Sequence, residues 1–136
     1  MKKENKELKN HNFIDAWKNA FNGIIYATTT QGNIQKQLII AVIVVIVSLF
    51  FNLNRAEFLC FLFTIVLIIF AEMVNTAIET VVDLYVDVYH PKAKIAKDVA
   101  AGGVVITTIN AIIVAYFLFF DKIADIGLAF LKNVTS

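Results

Sequence analysis

Glu72, Asn75, Glu79 and Asp83 combine residue types and spacing that fit chemistry better than any other group in this 136-residue chain. On an α-helix they point to about 0°, −60°, −20° and +20°, a single stripe about 80° wide. Val74, Ile78 and Val81 fall on the other side. The surrounding segment is apolar enough for a membrane, where one carboxylate costs at least ~2.5–3.5 kcal/mol on insertion scales. Three acids on one face therefore need partners, water or a ligand. A purely structural network would call for basic residues beside them, and residues 58–83 contain no lysine or arginine.

The spacing suggests a division of labour. Glu72 and Glu79 are separated by about 10 Å along the axis, too far to share one ion but suited to opposite ends of a reacting group. Asn75 and Glu79 lie one turn apart and can share a site. Hard oxygen ligands of this kind suit Mg²⁺, which keeps waters and substrate phosphate in its shell. Glu72 lies deeper and is placed to take a proton from a hydroxyl reaching up from the lipid, as a general base.

The following segment, Tyr89-His90-Pro91-Lys92-Ala93-Lys94-Ile95-Ala96-Lys97-Asp98, supplies the opposite charge. Lys94 and Lys97 are one helical turn apart. Metal-binding acids next to lysines at the wet end of a span fit a bound polyphosphate. Lys92 reads as a charge anchor, and His90 by itself as a loop hydrogen-bonder. The five glycines (23, 32, 102, 103 and 127) form neither a GxGxxG motif nor a P-loop, so a nucleotide would be held by lysines and metal. Cys60 is the lone cysteine, which excludes an internal disulfide and a Cys-based metal site.

The elements that must position these residues follow from composition. The chain is 59% hydrophobic and 17% charged, with mean hydropathy +0.72. Soluble domains run at roughly 45–50% and 25%, so the sequence reads as an integral membrane protein, not a disordered or nucleic-acid-binding one. Its net charge of +1 says nothing about partners. We expect an all-α fold in a single membrane-embedded domain over residues 1–136, with spans near 34–51, 57–83 and 99–120. Phe13, Ile14, Trp17, Phe21, Ile24 and Ile25 recur at helical spacing and predict an amphipathic surface helix near 13–30. Ile123, Ile126, Phe130, Leu131 and Val134 predict a short C-terminal surface helix. Residues 1–12 are polar and lysine-rich and read as a frayed end. Ala100-Ala101-Gly102-Gly103 offers a small surface for close helix approach, with Thr107, Thr108 and Asn110 as interhelical hydrogen-bonders.

Lysines orient the bundle. Six precede the first span and three lie in residues 84–98, against a single Arg55 in the first hairpin loop. The positive-inside rule then places the N-terminus and the 84–98 segment in the cytoplasm of a multi-pass plasma-membrane protein. The acidic end of the second span would face the cytosol.

The run Ala71-Glu72-Met73-Val74-Asn75-Thr76-Ala77-Ile78-Glu79-Thr80-Val81-Val82-Asp83, followed by Lys97-Asp98-Val99-Ala100-Ala101-Gly102, resembles the small bacterial membrane diacylglycerol kinases. Their signature reads E-x-x-N-[ST]-[SA]-[LIV]-E-x-x-V-D, and the resemblance covers residues 19–120. The stretch His90–Asp98 resembles the Gram-positive branch, whose members are mostly undecaprenol kinases. The resemblance implies a homotrimer of three-span subunits with shared active sites, phosphorylating undecaprenol or diacylglycerol with ATP and Mg²⁺. It implies Glu72 as catalytic base and Glu79 as metal ligand, with Asn75 and Asp83 at polar positions of the site. Tyr89, His90, Lys97 and Asp98 would contact nucleotide. One motif departs from the family. Where Glu-Arg-Asn is usual, this chain has Gln31-Gly32-Asn33, which puts a neutral amide at a second metal-ligand position.

Two other readings stay open at this level. A small ion- or proton-coupled transporter would also bury acids, but would gather them near the bilayer midplane. A catalytically silent lipid-binding relative is compatible with Gln31.

Overall fold

The computed structural model describes residues 13–85 and 88–135. The described residues form four helices: α1 (Phe13–Thr30), α2 (Gly32–Ser48), α3 (Arg55–Tyr85) and α4 (Pro91–Thr135), with a 3-10 turn at Leu49–Phe51. No strand occurs among them. Residues 1–12, read above as a frayed end, lie outside the described residues.

Local chemistry sets each boundary. A single residue, Gln31, separates α1 from α2, with extended backbone at φ −99° and ψ 106°. Its N–H still donates to Ala27 O at 3.1 Å, and its own carbonyl accepts Gln35 N–H at 3.1 Å. The chain therefore turns with little loss of backbone bonding. Thr28, Thr29 and Thr30 precede the break, each donating its hydroxyl to the carbonyl four residues back. Such back-bonding competes with straight helix geometry.

At the α2–α3 turn, Asn52 takes the left-handed conformation with φ 47°, which asparagine tolerates better than most residues. Asn54 and Glu57 then form a capping box. Asn54 Oδ1 accepts the N–H groups of Ala56 (2.9 Å) and Glu57 (3.0 Å), while Glu57 Oε2 accepts Asn54 N–H (2.8 Å). At the other turn, His90 Nδ1 accepts Lys92 N–H at 3.2 Å, and Pro91 fills the first helical position, where no N–H is needed.

Packing follows the logic of a lipid solvent. Ala27, Ile34 and Phe61 are the only apolar residues fully buried among those described. Ile39, Val42, Phe63, Phe70, Ile106 and Phe117 are all exposed on the helix surfaces. In water such a surface would be untenable; against acyl chains it costs nothing. Three described helical segments, Gly32–Phe51, Arg55–Tyr85 and Pro91–Val134, are long and apolar enough to cross a membrane. The chain is an all-α membrane protein. The largest internal contact joins α3 to α4, and α2 leans on α3. Phe119 ties the α2–α3 turn to α4 through ring contacts with Phe51 (5.1 Å) and Phe61 (5.8 Å). Lys122 pairs with Glu57 there at 3.4 Å.

Three expectations are corrected. The C-terminal segment is no separate surface helix, because α4 runs unbroken from Pro91 to Thr135. Nothing between Phe120 and Lys122 breaks a helix, and extending one needs no new nucleus. Thr107 and Thr108 do not bridge helices, since both donate to Val104 O in their own helix, at 2.9 and 2.8 Å. The small surface at Gly102 and Gly103 is not used within one subunit: a Cβ at either would meet nothing within 4 Å.

Candidate active site

α3 carries the acidic stripe from the protein interior to its wet end. With 31 residues it extends about 46 Å, longer than the ~30 Å hydrocarbon core. A span alone therefore does not need its whole length. Burial falls along the stripe in the same order. Glu72 is 4% exposed and Asn75 6%, Glu79 is half-buried, and the Asp83 side chain is 64% exposed.

Each glutamate of the stripe is held by an amide. Asn75 Nδ2 donates to Glu79 Oε1 at 3.0 Å, one turn along the same helix, as its spacing predicts. Glu72 is reached from α2, where Gln37 Nε2 donates to Glu72 Oε2 at 3.1 Å. Gln37 escaped the sequence reading. Its signal was its place at the mouth of the apolar run of the neighbouring span, where a deep carboxylate needs a donor from another helix. Among the described residues neither Glu72 nor Glu79 has a cationic partner. A buried carboxylate with no cation beside it is costly, so this arrangement leaves room for one.

The lysines settle differently from one another. Lys97 reaches from α4 to Asp83 at 3.0 and 3.3 Å, clipping α4 to the wet end of α3. Lys94 instead pairs with Asp98 on its own helix. Together with Tyr89 and His90, these four charged residues line one open hollow of about 420 Å³. Six of the eight residues singled out for nucleotide contact, Asp83, Tyr89, His90, Lys94, Lys97 and Asp98, are thus gathered in one place. Asn75 and Glu79 lie further up the stripe.

Gln31 is not brought to Glu79 within the subunit. Its side chain turns to Thr30 Oγ1 at 3.4 Å, and the described residues hold no cluster of three acidic, imidazole or thiol groups fit for a metal. On the other side of Glu72, a cavity of about 330 Å³ opens between α2, α3 and α4. Its walls are apolar apart from Gln37, Thr64 and Thr108.

A membrane helix pair with a buried carboxylate at one end of an acidic stripe and a charged hollow at the other defines a class of protein that handles polar groups at a lipid boundary. The particular family follows from comparison with known proteins. Residues 18–119 match the family described as prokaryotic diacylglycerol kinase. A diacylglycerol kinase of Synechocystis is 38% identical over 104 residues, which cover 76% of this chain and 59% of that protein. The undecaprenol kinase of Bacillus subtilis is 33% identical over 111 residues, covering 82% of this chain and 90% of the relative. The chain belongs to the prokaryotic diacylglycerol kinase family. It spans little more than half the length of the Synechocystis relative.

Proposed function

We propose that the protein transfers the γ-phosphoryl group of ATP to the hydroxyl of a membrane lipid alcohol, undecaprenol in preference to diacylglycerol. The observation that carries this reading is the joining of a 4%-exposed carboxylate, Glu72, to an open charged hollow along one helix face. The lipid hydroxyl approaches from the membrane and the nucleotide from the wet end. Glu72 accepts the hydroxyl proton as the lipid oxygen bonds to the γ-phosphorus. The bond from phosphorus to the bridging oxygen breaks and ADP leaves. Lys94 and Lys97 neutralise phosphate charge, and Tyr89, His90 and Asp98 line the nucleotide's approach.

The residues present fit a divalent cation. Asn75 Oδ1 is buried without a hydrogen-bond partner among the described residues, one turn from Glu79, and both residues offer hard oxygens. Glu79 and Asn75 would hold Mg²⁺, joined by the neighbouring subunit's Gln31 in a homotrimer with shared sites. The cation would supply charge neutralisation at the transferred phosphoryl group. The name of the Bacillus relative and the run His90–Asp98 support undecaprenol as acceptor. The lysine distribution supports a cytoplasmic site, where ATP is available. The transporter reading is disfavoured because the stripe ends in a lysine-lined hollow at the wet end of α3.

The test is a phosphotransfer assay with labelled ATP on the full-length protein, offering undecaprenol and diacylglycerol in parallel. Label in the undecaprenol product is expected. Label in neither lipid would leave the silent lipid-binding relative as the better reading.

A further inference from the structure

A carboxylate only accepts hydrogen bonds, so an amide that bonds to it must present its N–H and turn its carbonyl oxygen elsewhere. Gln37 does so. With Nε2 on Glu72 Oε2 at 3.1 Å, its Oε1 atom is buried with no hydrogen-bond partner among the described residues. Leaving an acceptor in that state is costly, and a native protein keeps such an atom for a reason. The same side chain lines the 330 Å³ cavity between α2, α3 and α4. The other two polar residues of the cavity have their hydroxyls engaged as donors. Thr64 donates to Cys60 O at 2.8 Å and Thr108 to Val104 O at 2.8 Å. The site therefore sets an unpartnered buried acceptor and a neighbouring carboxylate next to an apolar trough.

We propose that Gln37 orients the acceptor alcohol. Its Oε1 receives the hydroxyl of a lipid whose hydrocarbon lies in the cavity, while Nε2 holds Glu72 Oε2 beside the same hydroxyl. The proposal rests on the phosphotransfer reading and specifies its substrate: an alcohol with one hydroxyl on a wholly apolar chain. During transfer the O–H bond breaks, its proton goes to Glu72, and the oxygen bonds to phosphorus as ADP leaves. Gln37 neither gains nor loses a proton. It releases the hydroxyl to the base.

The experiment measures binding and turnover separately on the full-length protein in detergent. The probes are a tritiated long-chain polyprenol and its methyl ether, which lacks the donor. The parent should bind the alcohol about tenfold more tightly than the ether, as one buried hydrogen bond warrants. Gln37→Met keeps the side-chain volume and should lose that preference, with the KM for Mg-ATP unchanged as the sign of intact folding. A preference retained in Gln37→Met overturns the proposal. Ala41→Phe leaves Gln37 in place and fills the cavity; it should weaken alcohol and ether alike. Unaltered affinity in Ala41→Phe, or a changed assembly size instead, would give the cavity to another occupant and overturn the proposal too. Loss of preference in Gln37→Met, in a parent that labels no lipid, would uphold Gln37 as the hydroxyl receptor and sink the kinase reading alone.

Discussion

Glu72 and Glu79 are the same residue type, and each is bonded to one amide, yet the structure places them in different surroundings. Glu72 is buried and bonded to Gln37, a residue that lines the apolar cavity. Glu79 is half-buried beside Asn75, nearer the charged hollow. Replacing Glu72 with Gln keeps size and hydrogen bonding but removes the base. Phosphotransfer should fall ~10²–10⁴-fold while nucleotide binding holds. Turnover at the parental rate would end the assignment. Glu79→Gln should act on the other substrate, raising the Mg-ATP concentration needed for half-maximal rate. An unchanged dependence on Mg²⁺ would argue that Glu79 holds no metal.

Elements convert these side chains into a depth gradient. α3 is longer than the hydrocarbon core, so one face presents a carboxylate in the interior and another in water. The salt bridge from Lys97 to Asp83 fixes where α4 begins relative to that face. Much of this was legible in the sequence, because helical period and charge act along the chain. The stripe from Glu72 to Asp83, the helix α1 and the three apolar segments all follow from local spacing. The Gln37–Glu72 contact was not legible, since it joins residues 35 positions apart and depends on how α2 leans on α3. The unbroken α4 was missed for the opposite reason. Charge at Asp121, Lys122 and Asp125 marks a change of solvent, and a change of solvent does not end a helix.

The capping box gives a clean test at this scale. Asn54→Ala removes the acceptor for two backbone N–H groups at the start of α3. It should cost about 0.5–2 kcal/mol of stability. A lowered unfolding temperature in detergent is expected, with the turnover rate at low temperature unchanged because the cap lies at the opposite end of α3 from the hollow. A loss of rate equal to that of Glu72→Gln would tie this turn to catalysis instead.

At the scale of the whole molecule, the described residues of one chain do not gather the expected metal ligands. They bury few apolar side chains, and Gln31 bonds to Thr30, not to the acidic stripe. If the site is finished by a neighbouring copy, Gln31 supplies a neutral oxygen where the family's usual motif has a carboxylate. Hard cations favour charged oxygen ligands, so the protein should need more Mg²⁺ for half-maximal rate than Glu-bearing relatives. Gln31→Glu should lower that requirement. A paired change of Gln31 and Gly32 to Glu and Arg is the fuller trial, because it restores both charges of the motif. A Mg²⁺ dependence unmoved in both variants of an active parent would remove Gln31 from the metal site. Sharing has its own signature. Gln31→Lys places a cation against the metal and should inactivate, as Glu72→Gln does. Co-assembly of these two inactive variants should restore part of the activity, because some sites would draw a native Gln31 from one subunit and a native Glu72 from the other. Mixed assemblies as inactive as either parent would confine each site to a single chain.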